Sequence, residues 1–392
     1  MRRATLGGIL ATAALLAGAA GRCAENPGTT AAPILQVPLG ARAVGMGGAF
    51  TGLADDGSAL YYNPAGLSTL DSREFSVMYL KGWEDETVEH IQGVTPIPWG
   101  FIGDYASLGA SGLFSQHGDI EVNRTNADGS FLRTENIDAG GDVVATLGYS
   151  ERVMNFEVRS WDREMYRVDH FLGISGKYIR STLAQTYSAA TVAGDVGYLV
   201  RIPDAGIGLG FSLLNVGPGM RFISEKDPLP VTARSGFSYS PRLTDSSLPG
   251  SQSLIFSADG EYLPQERMWH ASLGGEYMMW RTFSTRLGYQ INRDLMGLTF
   301  GFGVRWRGIH IDYAWALSET MNDIHRFGLT YRFGRVPLRR REERRRPYIE
   351  SMPEREDLQD IEERVPRSFD KPEEPRRNPP DREKTVAPGW IY

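Results

Sequence analysis

Apolar and polar residues alternate along most of the chain between residues 72 and 333. The segment IHIDYAWAL, residues 309–317, shows the pattern most clearly, because every second residue from Ile309 onward is apolar while those between are polar or small. Successive side chains of a β-strand point to opposite faces, so this alternation predicts a strand with one apolar face. Residues 283–291 and 298–306 repeat the pattern.

An even number of alternating segments, each about ten residues long, is typical of outer-membrane barrels. Lipid excludes an open sheet, because the edges would leave backbone groups without hydrogen bonds. We therefore predict an all-β fold, a closed antiparallel transmembrane β-barrel of about 14 strands with an N-terminal plug. The predicted strands are residues 72–81, 87–95, 105–116, 141–150, 168–180, 190–202, 206–216, 229–240, 252–262, 268–279, 283–291, 297–306, 309–317 and 325–333.

A soluble β-sandwich or propeller also alternates and is the alternative fold. Aromatic residues near the predicted strand ends favour the barrel, because interfacial belts place them there. Links in the late part of the chain alternate between short and long, as barrel turns and loops do. Two links, 151–167 and 242–251, are long where short turns are expected, whereas the long link 117–140 falls on the loop side. The aromatic residues in question are Trp269, Trp280, Trp306 and Tyr331.

The last predicted strand, RFGLTYRF at residues 326–333, resembles the insertion signal that the barrel assembly machinery reads on a final strand. The matching positions begin with a polar residue and a glycine and end on two aromatic residues. An ordinary edge strand is the alternative. The predicted insertion signal comprises Arg326, Gly328, Tyr331 and Phe333.

The first residues of the chain have the pattern of a secretory signal. Arg2 and Arg3 precede a short apolar run, and Ala24 is a suitable last residue before cleavage, so residues 1–24 are predicted to be a signal peptide. The run is too short for a permanent membrane helix. Cys23 is the only cysteine, and a lipid anchor there is disfavoured because Arg22 precedes it.

Residues 25–71 are rich in small residues and precede the first predicted strand. Asp56 is a suitable cap for a helix over residues 57–62, and Asn63-Pro64 favours a turn. A segment this apolar is expected to be buried in the barrel lumen as a plug that begins on the periplasmic side.

The stretch LGARAVGMGGAFTGLADDGSALYYNPAGLSTL, residues 39–70, resembles the N-terminal region of the PorV/PorQ family, relatives of the FadL fatty-acid transporters. The resemblance implies a hatch inside a fourteen-stranded barrel, with an acidic pair followed by an Asn-Pro-Ala triplet. The alternative is that these residues only cap and lock the plug, with no ligand role. The matching plug residues are Asp55, Asp56, Asn63, Pro64, Ala65 and, after the triplet, Gly66.

Charged residues within the predicted strands are expected to face the lumen, because a charge on the lipid side costs about 2–4 kcal/mol at mid-bilayer. Both signs are present, which predicts a stiffening ion-pair network rather than a single-sign filter. His310 and Asp312 share the inward face, but no nucleophile completes a catalytic set, so no enzyme is predicted. No metal or cofactor motif is present. The predicted lumenal residues are His270, Glu276, Arg286, Arg305 and Asp312, with Arg326 and Arg332 on the same face.

The formal net charge of −6 provides no basic field for nucleic acid. Residues 335–392 are rich in Arg, Glu and Pro and are expected to be a disordered periplasmic tail. Such a tail is either merely solvated or binds a periplasmic protein or the cell wall.

The resemblance implies two functions for a protein of the bacterial outer membrane with both termini in the periplasm. The first is an accessory role in protein export, in which secreted cargo binds outer loops such as residues 217–228. The alternative is a FadL-like channel that passes small hydrophobic molecules, of the long-chain fatty-acid type, sideways through the wall. Transport would require an apolar path and a kink in an early strand. The expected partners are outer-membrane lipid, the assembly machinery, and either cargo or solute.

Overall fold

The computed structural model describes residues 28–82, 85–159, 164–184, 186–242, 252–293, 297–318 and 322–336. Fourteen of the strands in this part of the chain form one closed antiparallel ring, and β4 and β5 form a separate hairpin. The strands are β1 (Ser72–Lys81), β2 (Thr87–Ile97), β3 (Ala106–Gln116), β4 (Asp119–Thr125), β5 (Phe131–Asp138), β6 (Gly140–Arg159), β7 (Met165–Leu183), β8 (Tyr187–Ile202), β9 (Ile207–Val216), β10 (Thr232–Tyr239), β11 (Ser253–Leu263), β12 (Met268–Met279), β13 (Phe283–Ile291), β14 (Leu298–Trp306), β15 (Ile309–Ala316) and β16 (Ile324–Arg335).

The ring closes where the first strand meets the last. Tyr79 of β1 lies opposite Glu89 of β2 on one side and opposite Phe327 of β16 on the other. Strand β3 then pairs with β6, and every later strand pairs with its neighbours in chain order. The predicted closed barrel of 14 strands is therefore confirmed.

The structure corrects two of the predicted links. Most of the expected link 151–167 is strand, because β6 and β7 continue their mutual pairing from Arg152 and Phe171 as far as Arg159 and Met165. The expected link 117–140 contains the β4–β5 hairpin. In both places two neighbouring segments pair with each other as a hairpin outside the closed ring. The ten-residue pattern of the barrel strands does not predict such hairpins.

The two faces of the wall differ sharply in chemistry. Leu147, Val192 and Ile311 point outward with 72%, 56% and 56% of their surface exposed. Their strand neighbours Thr146 and Asp312 point inward and are buried. A bilayer requires both features: the outward side chains must be apolar because they face lipid, and the ring must be closed so that no unpaired backbone edge meets lipid. The fold is that of a transmembrane outer-membrane barrel.

The segment before β1 fills the lumen. It contains two short α-helices, α1 (Ala41–Gly45) and α2 (Ala59–Tyr62), and two 3₁₀ turns, Pro33–Gln36 and Pro64–Thr69. Most of its side chains are buried between the helices and the barrel wall. No helix in the described ranges is both long and apolar enough to span a bilayer. We call residues 28–71 the plug.

The plug crosses the barrel from one end to the other. At its start, the amide of Ala31 donates to the carbonyl oxygen of Pro228 at 2.8 Å, and Thr30 donates to Glu266 at 2.7 Å. We call this end, formed by the links 217–231 and 264–267, the far mouth. At the other end, Asp71 accepts from Arg335 at 2.7 Å, and we call that end the tail mouth.

The direction of the plug corrects one expectation. The sequence predicted that the plug begins on the periplasmic side, the side expected for both termini and hence for the start of β1. Its first described residues instead lie at the far mouth, at the other end of the barrel from the start of β1. The backbone can run this way because the lumen is wide enough for a folded segment of small residues. The predicted signal peptide 1–24, most of the link 242–251 and the tail from residue 337 lie outside the described residues.

Candidate functional site

A belt of wall glycines receives the plug. A Cβ atom added to any of these glycines would meet plug atoms at or below ordinary contact distance. For example, a methyl group on Gly288 would overlap the backbone of Gly47, and one on Gly274 would overlap Met46. Only glycine lets two backbones approach so closely. The glycine belt comprises Gly109, Gly148, Gly173, Gly197, Gly208, Gly210, Gly236, Gly274, Gly288 and Gly301.

Most belt glycines lie opposite one another on adjacent strands, so each pair forms a smooth patch two strands wide. The alternation of apolar residues with polar or small ones does not by itself connect these glycines to the plug. The feature of the sequence that could have revealed the belt is the recurrence of glycine on the inward face of nine strands. The directly opposed pairs are Gly109 with Gly148, Gly173 with Gly197, Gly210 with Gly236, and Gly274 with Gly288.

Polar wall side chains satisfy the buried backbone of the plug. A carboxylate oxygen of Asp259 accepts from the amides of Phe50 and Thr51 at 2.8 and 2.7 Å. The hydroxyl of Ser238 donates to the carbonyl oxygen of Gly52 at 2.9 Å. Buried backbone groups need such partners, so these contacts fix both the position and the register of the plug.

The Asn-Pro-Ala triplet joins the plug to the wall. The side-chain Nδ2 of Asn63 donates to the carbonyl oxygens of Thr51 and Tyr198 at 3.0 and 3.1 Å, and its side-chain oxygen accepts from the backbone amide of Ala65 at 3.2 Å. Asn63 thereby caps the 3₁₀ turn that Pro64 begins, a position where the missing N–H of proline costs nothing. Gly66, after the triplet, packs against Ala54, with no room for a Cβ atom. These contacts support the capping and locking role.

The acidic pair binds an arginine of the plug. Arg42 contacts Asp55 at 2.5 Å and Asp56 at 2.9 Å, and it reaches Glu276 of the wall at 2.9 Å. Burial raises the pKa of Asp55, but Arg42 outweighs that effect and holds the pKa below its usual value. Asp56 also accepts from the amide of Ser58 at 3.0 Å. It therefore forms a local turn rather than the predicted cap of a helix over residues 57–62, and α2 begins only at Ala59.

The wall continues this network away from the plug. Glu276 accepts from Arg286 at 2.7 Å, and Arg286 donates in turn to Asp312 at 2.7 Å. Arg305 is more distant, with 3.8 Å between its nearest nitrogen and Glu276. His270 lies apart from the network near the far mouth, where its Nδ1 is 2.7 Å from the carbonyl oxygen of Asn292. Four of the five predicted lumenal residues thus lie together, and His270 does not.

A second feature of the lumen is a cavity of about 260 Å³ under the far mouth. Plug residues Pro33 and Val37 form one side, and wall residues Leu80, Val88 and Ile324 form the other. We call it the far cavity. It is mainly apolar, and its polar lining comprises Gln36, Glu86 and His270 besides two arginines.

Arg326 is wholly buried in the far cavity, and none of its three guanidinium nitrogens has a hydrogen-bond partner among the described residues. The other arginine lining the cavity, Arg293, is engaged by Glu261 at 3.3 Å, and Glu261 also binds Arg234 at 3.1 Å. The sequence placed Arg326 in the insertion signal and on the inward face. Its lack of a partner depends on packing between strands distant in the chain.

The other residues of the predicted insertion signal divide between the two faces. Gly328 faces the plug, where a Cβ atom would be 3.3 Å from Ala41. Tyr331 and Phe333 point outward with stacked rings whose centroids are 5.2 Å apart. Recognition by the assembly machinery stays a prediction.

The link that was expected to bind cargo covers the plug instead. Met220 and Leu229 are buried, and Met220 pairs with Asp227 through two backbone hydrogen bonds of 2.8 Å. Ile223 is the exposed apolar residue of this link, at 72% exposure. One exposed side chain is not an apolar groove, so the export-accessory function stays a prediction that this link does not favour.

The early strands of the wall pair without interruption. Strands β1, β2 and β3 keep one register between them, and β3 keeps one register with β6. Irregular pairing occurs at Ser72 and Arg73 where β1 meets β16, at Arg152 and Met154 in β6, and at Gly194 and Val196 where β8 meets β9. The pairing of β1 with β2, β2 with β3 and β3 with β6 therefore has no break, so the kink in an early strand that sideways transport was expected to require is absent there. Within the described ranges, no three His, Cys, Asp or Glu residues are arranged to hold a metal ion.

Solved structures of outer-membrane barrels resemble this chain at low identity. A Pseudomonas aeruginosa FadL homologue is 13% identical over 74% of this chain and 98% of its own, with a TM-score of 0.40. A deltaS2 mutant of the TodX monoaromatic hydrocarbon channel is 12% identical over 76% and 99%, with a TM-score of 0.45. Escherichia coli outer membrane phospholipase A is 10% identical over 68% and 97%, with a TM-score of 0.29. Similarity of this degree does not identify a ligand or an activity.

No protein-family model and no curated protein matches the sequence of this chain.

Proposed function

We propose that this protein is an outer-membrane channel that takes up small amphipathic molecules with an acidic head group, solutes of the fatty-acid type. This is the alternative function that the resemblance to FadL relatives implies. The observation that carries the proposal is the buried guanidinium of Arg326, which has no partner among the described residues and lines the apolar far cavity.

An unpaired buried charge is costly, since removing a guanidinium from water without a partner costs several kcal/mol. A carboxylate would restore two charge-assisted hydrogen bonds in the fork geometry that arginine favours. Glu261 already binds Arg234 and Arg293. Glu86, the carboxylate that lines the far cavity, is 3.7 Å from His117 and makes no hydrogen bond to Arg326. The far cavity therefore suits an incoming anion.

The apolar part of the lining of the far cavity suits a hydrocarbon chain. Leu80, Val88 and Ile324 are all at most 3% exposed and present only apolar atoms. A volume of about 260 Å³ is close to the lower limit of small-molecule pockets, roughly 300 Å³. It would hold a short or medium-length chain, or one end of a longer chain.

Passage beyond the far cavity requires the plug to move. The plug occupies the lumen between the two mouths, and the early strands have no gap. Pro33 and Val37 line the cavity and belong to the plug, so a bound ligand touches the element that must be displaced. Ligand binding at this position can therefore be coupled to opening.

The proposal is tested with the purified full chain in detergent. Binding of dodecanoate is compared with binding of dodecanol, which has the same chain but no charge. Arg326→Met should weaken dodecanoate binding by about tenfold or more, and Arg326→Lys should retain part of it. Arg305→Met, at the tail mouth, is the matched control and should bind as the unmodified protein does.

Two results would contradict the proposal. One is equal affinity for the acid and the alcohol, and the other is unchanged dodecanoate binding by Arg326→Met. The heat-dependent migration of each variant on denaturing gels shows whether its barrel is folded. Uptake of labelled dodecanoate into liposomes containing the protein then tests transport separately from binding.

A further inference from the structure

The tail mouth contains a cavity of about 590 Å³. Whereas the lining of the far cavity is mainly apolar, the lining of this cavity is mostly polar and basic. Four arginines line it, and no carboxylate among the described residues does so. We call it the tail vestibule. Its arginines are Arg281, Arg305, Arg307 and Arg332.

Two of these arginines come from the wall and point into the lumen. Arg332 binds Glu74 at 2.7 Å, so its charge is balanced. Arg305 is poorly satisfied: its nearest carboxylate, Glu276, is 3.8 Å away and already binds Arg42 and Arg286. The Nε atom of Arg305 is buried without any partner among the described residues.

The other two arginines come from tight turns at the rim. Arg281 is exposed in the turn between β12 and β13, and Arg307 is exposed in the turn between β14 and β15. Neither makes an ion pair within the described ranges, and Arg307 lies over the ring of Trp306 with 5.1 Å to its centroid. The vestibule therefore combines positive charges from two turns with positive charges from the barrel wall.

The backbone at these turns is strained. Arg281 and Arg307 have φ angles of 57° and 47°, and Trp280 before Arg281 has 53°. Side chains other than those of Gly, Asn and Asp rarely adopt this left-handed conformation, which tight hairpin turns nevertheless require. Asn-Gly or Asp-Gly would be the favourable choice in such turns.

We propose that the tail vestibule binds an ionised phosphate group. A phosphate group has three or more acceptor oxygens and can engage several guanidinium groups at once, whereas a carboxylate has only two. Arg281 and Arg307, without ion pairs, and Arg305, with its distant one, match a group carrying about two negative charges.

Phosphate could come from two sources. A soluble phosphate compound could enter the open vestibule from the compartment that the tail mouth faces. A phospholipid head group could also reach it, because Trp280 and Trp306 at the same rim are 50% and 62% exposed, as residues at a bilayer interface are. Both sources share the same recognition chemistry, so the experiment separates them.

The experiment uses the full chain in a zwitterionic detergent. Tripolyphosphate is titrated by calorimetry as the soluble probe. Mixed micelles containing phosphatidic acid, with phosphatidylcholine as the reference lipid, supply the head group. Arg305→Gln, and separately the double variant Arg281→Ser with Arg307→Ser, should each weaken binding by about tenfold or more.

Arg159→Ser is the matched control. Arg159 is also exposed and is the last residue of β6, at the tail-mouth end of that strand but outside the vestibule. This variant should bind as the unmodified protein does. If the vestibule variants lose tripolyphosphate binding, the soluble source is supported. If they lose only phosphatidic acid binding, the lipid source is supported. No binding of either probe, or equal binding by all variants, overturns the proposal.

The outcome is independent of the far cavity. Dodecanoate binding should be unchanged in the vestibule variants, because Arg326 lies at the other mouth. A failure of the vestibule proposal with intact dodecanoate binding would leave the proposed channel function standing.

Discussion

The side-chain amide of Asn63 donates to the carbonyl oxygen of Tyr198 at 3.1 Å, and this hydrogen bond joins the plug to strand β8. It can form because the next wall position is Gly197, where a Cβ atom would occupy the place of the Asn63 side-chain oxygen. The plug and the wall are thus complementary in two ways. The side chain of Asn63 provides the hydrogen bond, and the absence of a side chain at Gly197 leaves room for it.

Asn63→Ala should destabilise the folded protein by about 2–3 kcal/mol. The substitution removes hydrogen bonds to Thr51, Tyr198 and Ala65 and leaves buried backbone groups unsatisfied. Urea unfolding in detergent, followed by tryptophan fluorescence, measures the change. Asn123→Ala on the exposed β4–β5 hairpin is the control and should change stability little. A similar loss in both variants would argue against a locking role for Asn63.

Gly288→Ala should dislodge the plug. The added methyl group would overlap the backbone of Gly47, which cannot move without breaking its bond to Thr299 at 3.0 Å. We expect a loss of about 1–3 kcal/mol and faster protease cleavage within residues 28–71.

Gly275→Ala is the control for this substitution, since its nearest atom to a new Cβ would be 3.9 Å away. It lies on β12 beside Gly274, the strand partner of Gly288. Equal protease resistance of both variants would show that the belt does not position the plug.

Arg42→Met should destabilise the protein by about 3–5 kcal/mol, because it leaves Asp55, Asp56 and Glu276 without their shared partner. Adding Glu276→Gln should then cost less than it does in the unmodified protein, because the hydrogen bonds between Arg42 and Glu276 are already lost. A double-mutant cycle in urea measures this coupling. Strictly additive losses would mean that the contact between plug and wall contributes nothing specific.

His117 should make stability depend on pH in the alkaline range. Its imidazole is 3.3 Å from Asp142 and 3.7 Å from Glu86, and hydrogen bonding to Asp142, then to Glu86, raises the pKa of His117 to about 10. A raised pKa stabilises the fold fully below the unfolded value of about 6.5, and this contribution is lost as pH rises towards 10.

The unmodified protein should therefore lose its stability advantage over His117→Gln between about pH 6.5 and 10. Unfolding midpoints measured across that range test the point. A constant difference between the two proteins over the whole range would exclude the ion pair as its source.

The sequence predicted the wall more accurately than the lumen. For β15 the observed strand, Ile309–Ala316, ends one residue before the predicted one, and Asp312 points inward as alternation requires. Alternation is a local property enforced by lipid on one side and water or plug on the other, so it can be read along the chain. The extension of β6 to Arg159 was missed because that part pairs outside the ring.

For the lumen, the sequence predicted which types of residue it contains but not how they contact one another. The sequence alone determined that the chain has about fourteen two-faced strands, inward charges and a small-residue segment ahead of them, because each of these features is written in local pattern. Only the tertiary structure decided that the plug starts at the far mouth, that Arg42 binds the acidic pair, and that Arg326 and Arg305 lack full partners. Those outcomes depend on which strands become neighbours when the ring closes, and closure brings together residues that lie more than two hundred positions apart along the chain, such as Arg42 and Glu276.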